Sequence, residues 1–95
     1  MKAAQQDTLE VELWVENRLG LHARPAMKIS TLAREFKSEL ILEKDGAAVN
    51  AKDLLGILTL GCPQGTRVVL KARGPDAPEA ALAFRRLFGL KFGET

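Results

Sequence analysis

The chain has 95 residues, 46% of them apolar, and a formal net charge of +2. That is enough for one globular domain and too little for two, and a single cysteine with a single histidine excludes an internal disulfide and the usual metal-ligand sets. The basic residues are spread without a block, which argues against nucleic acid as a partner.

The opening MKAAQQDTLE carries no apolar signal segment, and no run is apolar for long enough to span a bilayer. A cytoplasmic protein without membrane insertion is expected, with residues 1–7 a flexible extension and 8–95 one domain. TLEVELWV alternates strictly: Leu9, Val11, Leu13 and Val15 point one way, Thr8, Glu10, Glu12 and Trp14 the other, as in a strand with one buried face. NRLG turns the chain. From Ala23 the period becomes helical, with Ala26, Ile29, Ala33 and Phe36 three or four apart. Pro25 is tolerated only in the first turn of that helix, so His22 is expected at or beside the N-cap.

SELILE reads as a second strand with Leu40 and Leu42 on one face, KDGA as an Asp-Gly hairpin, and AAVN as its return. DLLGILTLG predicts a short helix with Asp53 as N-cap and Gly61 at its end. CPQG predicts a turn with Pro63 at its second position. TRVVLKAR is a further strand, burying Val68, Leu70 and Ala72. DAPE resembles a capping box at Asp76 and Glu79 with Pro78 in the first turn. It opens a last helix with Ala80, Ala83, Phe84, Leu87 and Phe88 as its stripe and Gly89 as its stop. The order β-α-β-β-α-β-α predicts an α+β fold: an open-faced β-sandwich whose four-stranded, mostly antiparallel sheet carries three helices on one face.

An imidazole at a helix start feels unpaired amides and the positive end of the helix dipole. The cationic ring is disfavoured there, which keeps a lone pair available, and an anion placed on the ring is stabilised by the same amides. Arg24 adds a planar, permanently charged donor suited to phosphate oxygens. These are the requirements of a reversible phosphoryl acceptor. From chemistry alone a second reading stands beside it: His22 as an ordinary helix-start residue and Arg24 as a solvated charge.

LGLHARPAM resembles the active-site segment of the HPr family, the histidine-containing phosphocarriers of the bacterial phosphotransferase system, and VNAKDLLGILTLGCPQGT resembles that family's second signature. The likeness runs from about Leu9 to Phe88. It implies that His22 takes a phosphoryl group on Nδ1 from phosphorylated Enzyme I and passes it to an IIA-type acceptor, as a transfer intermediate rather than a turnover enzyme. Arg24 would lie beside the phosphate, Gly20 would allow the tight approach and Pro25 would fix the helix start. No metal and no organic cofactor is implied.

LLGILTL carries more leucine than a short helix on a sheet can bury. Ile57 and Leu60 fall on one arc, Leu54, Leu55 and Leu58 on another. Either all five sink into the core, or the second arc leaves an apolar patch for partners; the second reading is favoured. The resemblance agrees, since HPr proteins dock partners through the start of the first helix and through this one, with Thr59 and Lys52 beside the leucines. Asp53 stands where kinase-regulated relatives carry a phosphorylatable serine. An aspartate cannot accept that phosphate, and a plain N-cap is the simpler reading than mimicry of the modified residue.

Cys62 reads as a small, semi-buried residue, Lys28 as a solvated charge, and Arg85, Arg86 and Lys91 as the wet face of the last helix. A monomer is expected, because partners must reach His22. Two other functions remain in view: a partner-binding or nitrogen-type regulator in which transport is not the main role, and a small nucleic-acid-binding domain. The latter needs exposed aromatics on the open sheet face, where only Trp14 qualifies.

Overall fold

The structure, a computed structural model, describes residues 7–95; the remainder of the expected 1–7 extension lies outside the described residues. Alternating apolar side chains build the sheet. Strand β1 (Leu9–Trp14), β2 (Glu39–Lys44), β3 (Ala47–Asn50) and β4 (Arg67–Arg73) lie in the order β1-β4-β2-β3, and all three pairings are antiparallel. Register brings the apolar faces together: Val11 opposes Leu70, which opposes Leu42, and Ala72 opposes Leu40. Helices α1 (Ala23–Ala33), α2 (Leu54–Thr59) and α3 (Ala77–Gly89) cover this face, contributing Ala26, Ile29, Ile57, Ala80, Phe84 and Phe88 to one core. Each large side chain so buried contributes about 1.5–3 kcal/mol. The other sheet face is wet, with ion pairs Arg67–Glu12 and Lys71–Glu43 and with Trp14 45% exposed.

The β2–β3 turn is the expected Asp-Gly pair: Asp45 and Gly46 both have positive φ, 48° and 84°, as a two-residue hairpin of this hand requires. Asp53 caps α2, accepting from the Leu55 amide at 3.1 Å.

Elsewhere local signals were overridden. Leu9, first residue of an edge strand with a neighbour on one side only, is 36% exposed. α1 ends at Ala33, so Phe36 lies beyond it in a turn, half-buried against the core. The turn after α2 is shifted by one residue: the Thr66 amide donates to the Pro63 carbonyl at 3.1 Å, which makes Pro63 the first position, not the second. Gly65, at φ +90°, sets that frame because the third position needs a left-handed backbone.

The capping box at Asp76 does not form. Asp76 is the N-cap of α3 by position, yet its side chain makes no cap bond. Its carboxylate instead accepts from the Ser38 amide and hydroxyl, at 2.9 and 2.6 Å, and from the Lys37 amide at 2.9 Å. Ser38 is buried and needs these partners, and the bonds hold the Asp76 carboxyl below the usual carboxylate range, the Ser38 hydroxyl being the largest cause. On α3 it is Ala81 that is buried, while Ala83 is half-exposed.

Gly89 closes α3, and a short 3-10 turn, Lys91–Gly93, follows. Lys91 and Phe92 there adopt φ +53° and +56°. Left-handed backbone at such residues costs about 1–2 kcal/mol each. The return is a phenyl ring sent back into the core: Phe92 is buried and meets Phe88 edge-on, centroids 4.8 Å apart. Burial of that size, about 1.5–3 kcal/mol, offsets much of the cost. The turn also sets the direction of the residues after it.

Candidate functional site

The loop between β1 and α1 is held from three sides. Val15 exchanges backbone bonds with Thr66 and Gly65, at 2.9 and 2.7 Å. The Leu21 amide donates to the Cys62 carbonyl at 2.9 Å, so the loop lies directly on the chain leaving α2. That contact demands glycine at position 20: φ is +70°, and a Cβ there would stand 2.4 Å from the Cys62 carbonyl oxygen. Asn17, fully buried, donates its amide to the Gly20 carbonyl at 2.7 Å and to Glu94 Oε1 at 2.9 Å.

His22 is the N-cap residue of α1 in extended conformation (φ −77°, ψ −170°), and its own side chain does not cap the helix. The Ala26 amide takes the His22 carbonyl at 3.0 Å, and Pro25 has no amide proton to offer. The N–H groups of Ala23 and Arg24 are therefore the open pair at this helix start. No acidic residue stands in the first turn. The imidazole is 37% exposed and borders a cleft of about 210 Å³ with Arg18, Leu19, Arg24, Glu94 and Thr95.

His22 Nε2 lies 2.9 Å from Glu94 Oε1. This contact and the Asn17 amide, in that order, hold the Glu94 carboxyl below the usual range. Nδ1 is the ring nitrogen without a protein partner among the described residues. The segment carrying Glu94 is anchored by Phe92 in the core, by Lys28 Nζ donating to the Phe92 carbonyl at 2.6 Å, and by the Arg18 amide donating to the Thr95 carbonyl at 2.6 Å. Lys28 is thus a tether, not the solvated charge its sequence context predicts.

The structure brings Gly20, His22, Arg24 and Pro25 to this helix start. Asn17 and Glu94 join them, and neither was singled out by the sequence. A polar residue in a turn is too ordinary a signal to mark Asn17, and Glu94 is 72 residues from its histidine partner.

The second surface is on α2. Ile57 and Leu60 are buried, whereas Leu55 is 70% and Leu58 38% exposed. Leu54 is divided from them: it packs half-buried against the core. Thr59 is exposed, its hydroxyl donating to the Gly56 carbonyl at 2.6 Å. Lys52 is half-buried and engaged, donating from Nζ to the Phe36 carbonyl at 2.8 Å while its own carbonyl accepts from Arg34 Nε at 3.2 Å. Met27, one turn along α1 from Ala23, is a further exposed apolar side chain that periodicity alone did not mark. Cys62 is buried, and burial pushes its thiol up.

Residues 9–89 match the family model described as the PTS HPr component phosphorylation site. The chain belongs to the HPr family. The phosphocarrier protein HPr of Cupriavidus necator is 37% identical over 86 residues, covering 90% of this chain and 97% of that one. The crystal structure of HPr-C-His from Thermoanaerobacter tengcongensis superposes with a TM-score of 0.88 at 45% identity, over 92% of this chain and 98% of that chain. The phosphocarrier protein NPr of Klebsiella oxytoca is 34% identical, covering 92% of this chain and 98% of that one. The expected open-faced sandwich is the HPr fold, and the family's role, a phosphocarrier of the phosphotransferase system, is the function of this chain. No helix among the described residues is long and apolar enough to cross a membrane.

Proposed function

We propose that His22 is the phosphoryl acceptor of this HPr-family chain, taking the group on Nδ1 from phosphorylated Enzyme I and handing it to an IIA-type protein. One observation carries the reading: an imidazole whose Nε2 is engaged, and whose Nδ1 is not, stands at a helix start with uncapped amides. In-line transfer needs little beyond positioning and charge stabilisation. The dianion formed on Nδ1 is held by the amides of Ala23 and Arg24 and by the Arg24 guanidinium. Gly20 sets the loop height and Pro25 the first turn. No metal and no organic cofactor takes part.

Partners dock on the start of α1 and on Leu55 and Leu58, with Leu54, Thr59 and Lys52 at the border; a transient complex needs only a small interface. Asp53 caps α2 and accepts no phosphate, which removes kinase regulation at this position. Residues 8–95 act as one cytoplasmic, monomeric domain. The nitrogen-type regulatory branch is the second reading, supported by the likeness to NPr.

Incubation with Enzyme I and phosphoenolpyruvate tests the central step. The expected product is heavier by one phosphoryl group, acid-labile and base-stable, and His22→Ala gains nothing. A gain that persists in that variant overturns the assignment.

A further inference from the structure

The cleft beside His22 holds two cationic side chains, Arg18 from the loop and Arg24 from α1. Glu94 supplies the side-chain carboxylate among its described lining residues. Its Oε1 accepts from the Asn17 side-chain amide and stands 2.9 Å from His22 Nε2. An ionised carboxylate can only accept hydrogen bonds. With that group on Nε2, the proton of a neutral ring belongs on Nε2 and the lone pair on Nδ1.

We propose that Glu94 is a positioning residue for phosphoryl transfer: it fixes His22 in the Nε2–H tautomer and keeps that proton in place while Nδ1 reacts. The proposal rests on His22 being the acceptor. In the step, the Nδ1 lone pair forms the new P–N bond as the bond between phosphorus and the donor's nitrogen breaks, and the donor nitrogen keeps that electron pair. No proton leaves His22. The ring gains positive character as its lone pair is committed, and the carboxylate 2.9 Å away stabilises that charge. A buried carboxylate does the same for the imidazole of a hydrolase triad, orienting the ring and stabilising the imidazolium without taking the proton.

The support for Glu94 is built into the fold. Phe92, two residues earlier, is locked in the core. Lys28 Nζ and the Arg18 amide hold the backbone on either side of Glu94, and Asn17 holds the carboxylate oxygen itself. A side chain wanted only for solubility needs none of these anchors. Both amide protons of Asn17 are used, one on Gly20 and one on Glu94, so a glutamine at position 94 would still be met by a donor from Asn17. Its carbonyl would then face the ring.

Glu94→Ala and Glu94→Gln separate the possibilities. Nitrogen-15 ring shifts of His22 in the unphosphorylated protein report the tautomer, independently of any partner. Glu94→Ala is expected to lose the Nε2–H preference and to accept phosphoryl from Enzyme I about tenfold more slowly, equivalent to about 1.4 kcal/mol in the barrier. Glu94→Gln is expected to keep the tautomer and to lose less of the rate than Glu94→Ala. An unchanged tautomer in Glu94→Ala overturns the proposal, as does a shifted tautomer with a wild-type rate. If the wild-type protein itself gains no phosphoryl group, it is the acceptor assignment that fails; if it does and the variants match it, only the role of Glu94 fails.

Discussion

Helices α1 and α2 begin in opposite ways. α2 is closed by its own sequence: the Asp53 carboxylate accepts from the Leu55 amide and supplies negative charge at the positive end of the dipole. α1 has neither device, since its N-cap side chain makes no cap bond and its first turn has no acid. Left unfilled, such a start gives up about 0.5–2 kcal/mol of capping. What α1 keeps in exchange, in the function proposed above, is room for an external anion: the capped start is a structural end, and the uncapped one is the proposed receptor. α3 is a third case, where Asp76 has the right position but spends its carboxylate on Lys37 and Ser38.

Closing α1 in the manner of α2 is the strongest way to break this contrast. Ala23→Asp puts a carboxylate into the first turn, where it competes with the incoming phosphoryl dianion. Phosphoryl acceptance is expected to slow about tenfold or more, about 1.4 kcal/mol, while thermal stability stays level or rises because acids are favoured at helix starts. Mass spectrometry against time with a fixed donor reads the rate, and an unchanged rate would show that these amides do not hold the anion. The reciprocal change, opening α2, is smaller. Asp53→Ala is expected to cost about 1 kcal/mol in urea unfolding with no change in the rate at His22; a slowed rate would mean the two helix starts are coupled.

The smallest effect concerns α3 and pH. The Asp76 carboxyl is held below its ordinary range by Ser38 and Lys37. Its folded-state value is depressed, so the stability it contributes is fully present above the unfolded carboxylate value, about 3.9, and is lost as pH falls through the lower folded value. Asp76→Asn removes that part of the acid slope. Melting temperatures between about pH 6 and pH 2, where Asp and Glu titrate, should therefore fall less steeply in the variant, and parallel curves would remove Asp76 from the account.

The sheet, the core faces and the three helices were legible because alternation and the three-to-four repeat are local signals. His22 at the helix start was legible for the same reason: the ring constraint of Pro25 leaves few places for the helix to begin. The exposed pair Leu55 and Leu58 followed from counting apolar arcs. What escaped was long-range or non-local in cause. Lys28 looks like a solvent-facing charge in sequence and Lys52 like a docking residue, yet both are tied to carbonyls of distant turns. Asp76 looks like a cap, and only the arrival of buried Ser38 redirects it. The left-handed pair Lys91 and Phe92 carries no glycine signal, so neither the fold-back of Phe92 nor the delivery of Glu94 to the ring could be read from the local pattern.

The strand order has a consequence for how the chain is made. The β2–β3 hairpin closes through a two-residue turn and can form as soon as it emerges from the ribosome. β1 emerges first but pairs only with β4, Leu9 meeting Ala72. Until β4 has been synthesised, the apolar row of β1 has no sheet to join. Such non-local pairing slows folding, and an unpaired strand edge is open to other chains; of the four strands, β1 therefore waits longest for its partner.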